Sequence, residues 1–133
     1  MMKFQQTDFT EELMEKIKNT ELALKGYTES LLKEYKPTFA KKGFVFDAGF
    51  HQEGNDPFMP GYSSSVSIAI AEKNKELIDI HTIKIWECER TFLGMPISKK
   101  IPGSNIIGEL LDEPLEEVKE ELKGYILDEF LND

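Results

Sequence analysis

The chain has one cysteine, Cys88, among 133 residues. A lone thiol cannot close an internal disulfide, so nothing in the sequence asks for an oxidising compartment, and the cytoplasm is the expected location. Long apolar runs are missing too. The longest, Ile68 to Ala71, is far short of a membrane span, and the opening Met1-Met2-Lys3-Phe4-Gln5-Gln6-Thr7-Asp8 lacks the apolar core of a secretory signal. Internal repeats, low-complexity tracts and linkers between domains are absent. So are the Walker loop, the dinucleotide fingerprint and the Asp-x-Asp-x-Asp-Gly calcium loop. No metal or cofactor is expected.

What is present is a globular composition: 40% hydrophobic and 31% charged residues, with nine Phe, four Tyr and one Trp. At this length one domain spanning residues 1–133 can bury roughly two-thirds of the surface its unfolded chain exposes. The formal charge of -9 is unevenly placed. Residues 109–133 hold ten acids against Lys119 and Lys123, a local charge of -8, which leaves -1 on the rest of the chain. An acidic terminal segment on a balanced body argues against nucleic acid or an anionic membrane as partner and permits a basic protein.

Helical spacing of Leu13, Ile17, Leu24, Tyr27, Leu31, Tyr35 and Phe39 predicts helix over residues 8–43, with Asp8 and Glu11 as a capping box. One helix of that length would reach about 50 Å, so a break near Gly26 with Thr28 as a second cap, giving a helical hairpin, is expected. Pro37 should kink the second helix and Gly43 should stop it. From Phe44 the period becomes two. Phe44, Phe46, Ala48 and Phe50 face inward, then Val66, Ile68 and Ile70, and a strand over Leu77–Glu89 completes a three- or four-stranded antiparallel meander. Centring that hairpin on Asn74 pairs Ile70 with Ile78, Ile68 with Ile80 and Val66 with Thr82, with a bulge at His81-Thr82 where the apolar phase slips. Residues 91–111 read as irregular, with Ser104 capping a short helical turn. A final amphipathic acidic helix starts at Asp112–Pro114 and buries Leu115, Val118, Leu122, Tyr125, Ile126 and Phe130 on the same sheet face as the hairpin. The fold class is α+β.

Two surfaces stand out as candidate sites. The last helix presents Glu113, Glu116, Glu117, Glu120 and Glu121, whose like-charge pairs four residues apart cost about 1 kcal/mol together, so local stability did not select them. A non-enzymatic protein-binding domain follows, of the immunity type that offers acidic side chains to a basic toxin or nuclease. The bland alternative is a solubilising face. If even strand positions face inward, Asp47, His51, Asp79 and His81 share the other sheet face, where a small molecule or metal could bind and an Asp two residues from a His could orient it as a base. There the alternative is an ordinary solvated face. A structural homo-oligomer using an open sheet face is the third reading. The loop with Phe58, Met59 and Tyr62, the Lys99–Asn105 segment and the Cys88 thiol are weaker candidates, each better explained by packing or by a plain loop.

Overall fold

The computed structural model describes residues 1–74 and 76–128. The elements run β1 (Met2–Gln5), α1 (Glu11–Lys41), β2 (Phe44–Glu53), β3 (Ser63–Glu72), β4 (Leu77–Phe92), β5 (Met95–Ile97), β6 (Asn105–Leu110) and α2 (Leu115–Ile126). The strands form one six-stranded sheet in the order β1-β6-β4-β3-β2, with β5 pairing β4 beside that path. The class is α+β with an antiparallel meander. No described helix is long and apolar enough to cross a membrane. The chain divides into two compact units. The first is Met1–Glu21, His51–Ser65 and Lys84–Asp112, and the second is Leu22–Phe50, Val66–Ile83 and Glu113–Asp133.

The expected helical hairpin is a single 31-residue helix. Gly26 costs a helix about 1 kcal/mol relative to alanine, too little to break one that is buried along its length. Thr28 caps nothing: its hydroxyl donates to the Lys25 carbonyl within the helix (2.9 Å). The length argument fails because α1 runs through both units, burying Leu13 and Ile17 in the first and Leu24, Leu31, Tyr35 and Phe39 in the second. Its cap is Thr10, whose hydroxyl accepts the Leu13 amide (3.2 Å), rather than Asp8, which accepts the Gln5 amide in a preceding 3-10 turn. Pro37 lies within the helix, and Gly43, at φ +88°, ends it as expected.

In the second unit, Phe46 stacks on Phe39 (5.0 Å between ring centroids), and Val66, Ile68 and Ile70 are fully buried. Ile78 and Ile80, expected to face inward opposite Ile70 and Ile68, are instead 44% and 52% exposed. Their neighbours Asp79 and His81 meet α2, and Ile83 is buried. Asp79 and His81 thus share the face that meets α2, and further along the strand the consecutive residues Ile85 and Trp86 are both fully buried. Apolar character at Ile78 and Ile80 was a poor guide to facing because α2 anchors on polar partners.

In the first unit Trp86 is the centre of packing. Its indole N–H donates to the Pro57 carbonyl (2.6 Å), and the rings of Phe4, Phe9 and Phe58 lie 6.1, 5.8 and 6.3 Å away. The stretch expected to be irregular contains β5 and β6. Instead of capping a helical turn, Ser104 immediately precedes β6, which pairs with β1 and β4 (Phe4 with Gly108, Trp86 with Leu110, Cys88 with Gly108). Helix α2 begins after Pro114 and buries Val118, Leu122 and Ile126, while Leu115 and Tyr125 are half-buried. Phe130 lies outside the described residues.

Candidate functional site

The two surfaces singled out from sequence meet in the second unit. The periodicity that buries Val118, Leu122 and Ile126 turns Glu121 and Tyr125 toward β4. There Glu121 Oε2 lies 3.0 Å from His81 Nε2, and the Tyr125 hydroxyl donates to Asp79 Oδ2 (2.5 Å). The imidazole also stacks on the Tyr125 ring, 4.7 Å between centroids and 20° from parallel. A carboxylate only accepts, so the hydrogen on His81 sits on Nε2, and Nδ1 is the nitrogen left as acceptor in the neutral ring. Asp79 and His81 therefore lie against α2 rather than on an open face. Asp47 is exposed on β2, and His51, also exposed, belongs to the first unit. Among the described residues no three His, Cys, Asp or Glu side chains converge as metal ligands would.

With Glu121 engaged, Glu116, Glu117 and Glu120 form the exposed acidic face of α2, and Glu113 stands exposed just before its first turn. Glu116 lies 3.7 Å from Lys119 Nζ, which also sits 5.5 Å from the Tyr27 ring centroid. The Tyr27 hydroxyl donates to the Lys119 carbonyl (3.2 Å). Contacts at Lys119, Glu121 and Tyr125 thus fix how the helix presents its outer face.

A second constellation, in the first unit, escaped the sequence reading. Strands β1, β6 and β4 set Lys3 opposite Glu109 and Glu109 opposite Glu87, and Glu89 follows two residues on, on the same face. With Thr91, Gly94, Pro96 and Ile107 these residues line a cavity of about 210 Å³. The Glu87 and Glu89 carboxyls share a hydrogen bond. That bond holds Glu89 up to about 7, with burial and the Glu87 charge adding to it. The same bond, assisted by Lys84 Nζ at 3.2 Å, lowers Glu87. Glu-x-Glu on one strand was visible in the sequence. Glu109 and Lys3 join it only through the pairing of β6 with β4 and β1, which links segments far apart in the chain.

Two opposing pH effects follow. Glu89, raised from an ordinary value of 4.5 to about 7, contributes stability that is full below the ordinary value and is lost as pH rises through 7. Glu87, lowered, contributes stability that is present above its ordinary value and is lost as pH falls. Stability from this pair should peak under mildly acidic conditions and decline by about 1 kcal/mol toward pH 8, allowing for solvent screening. Glu89→Gln should flatten the alkaline decline in a series of urea melts against pH. An unchanged slope would show that no proton is shared.

The remaining candidates resolve into packing. Phe58 stacks on Phe9 (4.6 Å, 16°) and Tyr62 is buried, which leaves Met59 as the exposed apolar side chain of that loop. Cys88 is fully buried, and burial pushes its thiol up to about 11, with Asp56 and Glu89 adding to the effect, so it is a poor nucleophile. The element that follows Lys99 and Lys100 is strand β6, not a helix whose N-terminus could hold an anion. No protein-family model, curated protein or solved structure matches this chain.

Proposed function

We propose that the protein is a non-enzymatic binding domain that presents the acidic face of α2 to a basic protein partner, in the manner of an immunity-type inhibitor. The supporting observation is that Glu116, Glu117 and Glu120, with Glu113 just ahead of the first turn, stand exposed on a helix held at Lys119, Glu121 and Tyr125. A pre-oriented charged face favours fast, salt-sensitive association and loses little conformational entropy on docking. Reversing Glu116, Glu117, Glu120 and Glu121 to lysine should weaken capture of the partner from an extract of the source cells by about 100-fold or more. Because Glu121 also holds His81, a triple variant sparing Glu121 separates recognition from helix anchoring. Undiminished capture by a variant with an unchanged circular dichroism spectrum would refute the proposal.

One observation favours a second reading, small-molecule binding. The cavity of about 210 Å³ carries a carboxyl pair whose Glu89 titrates near neutrality, suited to a hydrogen-bonding or cationic ligand. Small amine fragments should then shift the amide resonances of Lys3, Glu87, Glu89 and Glu109 together. Scattered or absent shifts would remove this reading.

A further inference from the structure

The sheet ends at β1 on one side and β2 on the other, and among the described residues no strand pairs with the outer side of either. An open edge offers a row of backbone donors and acceptors to any second strand, so proteins shield it with brevity, lysine, proline or inward charge. Strand β1 is shielded: it has four residues and carries Lys3, whose side chain is 73% exposed. Strand β2 is not. It runs ten residues, Phe44–Glu53, with no proline, lysine or arginine, and Asp47 is its single acid before Glu53. Phe46 and Ala48 are buried, whereas Val45, Asp47, His51 and Glu53 are exposed and lie on the opposite face with Gly49, as the two-residue period requires.

The strand is complementary to itself read backwards. Lys41 and Lys42 precede it and Glu53 ends it, so an antiparallel copy brings each cationic start to the partner's acidic end, whereas a parallel copy would align like with like. A two-fold axis normal to the sheet places one residue opposite itself. On Asp47 it would oppose two carboxylates, and on Ala48 it would leave Asp47 facing a glycine. On Gly49 it sets Asp47 opposite the partner's His51, twice by symmetry. A Cβ built on Gly49 meets nothing within 4 Å, so the axis position is open. Most of the chain's charge of -9 lies elsewhere: residues 109–133 carry -8, and α2 lies against β4, which β3 separates from β2. Residues 41–53 hold two lysines against two acids.

We infer that β2 pairs antiparallel with β2 of a second copy of this chain about a two-fold axis at Gly49, joining the two sheets edge to edge. Sedimentation velocity of the full chain should show a reversible monomer–dimer equilibrium. Gly49→Cys should give a covalent dimer under mild oxidation, because residues directly opposite across antiparallel strands have Cα atoms about 4.5–5.5 Å apart, within disulfide reach. Val45→Cys is the control. It is also exposed, but its two copies would stand at opposite ends of the pair, about 26 Å apart, and should not cross-link. Cys88 is fully buried and stays silent in both. Asp47→Lys alone and His51→Asp alone should each weaken the dimer by about tenfold, and the two together should recover most of the loss, since opposite charges face each other again. Circular dichroism melts separate a weakened interface from a damaged fold, and the cross-linking pair reads the register without either charge change. A monomer at every concentration, equal cross-linking at Gly49 and Val45, or a double variant no better than the worse single would overturn the inference. So would a complex formed only with a different protein, which would assign the edge to a foreign strand.

Discussion

Gly108→Val should destabilise the protein by about 3 kcal/mol or more, at the upper end of what overpacking a core costs. A Cβ placed on Gly108 would lie 2.0 Å from Trp86 Cη2 and 2.4 Å from Cζ2, well inside contact distance. Neither side can yield cheaply. Gly108 is held between Phe4 on β1 and Cys88 on β4, and the Trp86 indole is fixed by its bond to the Pro57 carbonyl and by three surrounding rings. In a protein of this size the loss corresponds to a fall in melting temperature of about 10 °C or more. Trp86 is the chain's one tryptophan, so its fluorescence reports the displaced indole directly. A melting temperature within about 3 °C of the parent, with an unshifted emission maximum, would show that the β4–β6 packing is looser than these distances imply.

Tyr62→Phe should cost about 2–3 kcal/mol, because it strands a carboxylate inside the first unit. The Tyr62 hydroxyl donates to Glu21 Oε2 at 2.6 Å, and both residues are buried. Burial and the bond to Glu21 hold the phenol well above the ordinary tyrosine range, so it remains a donor at any physiological pH. Removing the donor leaves the acid to bear its desolvation alone. Glu21→Leu with Tyr62→Phe removes both polar groups, and part of the loss should return even though the volume is not matched. The diagnostic is the double-mutant cycle in urea. Additive single effects, with no coupling, would mean that the bond contributes nothing net.

Both residues of that pair lay in segments whose general character could be read correctly. Glu21 falls on the predicted first helix, and Tyr62 in a loop thought able to fold back onto the core. Their meeting, across 41 residues, has no signature in local periodicity. The same limit separates the parts of the candidate sites. The amphipathic pattern of Leu115 to Ile126 was strong enough to place α2, its buried stripe and its outer acids. Contact of Glu121 with His81, and of Tyr125 with Asp79, depended on which face of β4 meets the helix. Alternation along Leu77–Ile83 was ambiguous on that point because both phases carry plausible side chains. Strand β6 was missed for a different reason. Asn-Ile-Ile-Gly-Glu-Leu contains a glycine that propensity counts against a strand, although here the missing side chain makes room for Trp86.

The sequence by itself determined the α+β class, three of the six strands, the terminal helix and the segregation of charge, since each is written in periodicity or composition within a short window. It also marked Gly43 as a helix stop, because a left-handed stop is a local backbone demand. Only the tertiary structure decided that α1 continues past Gly26, that Glu87, Glu89 and Glu109 line one cavity, and that the acidic helix and the β4 histidine are neighbours. Those outcomes depend on which burial surfaces meet and on pairing between strands far apart in the chain. Against such energies, single-residue propensities of about 1 kcal/mol are too small to prevail.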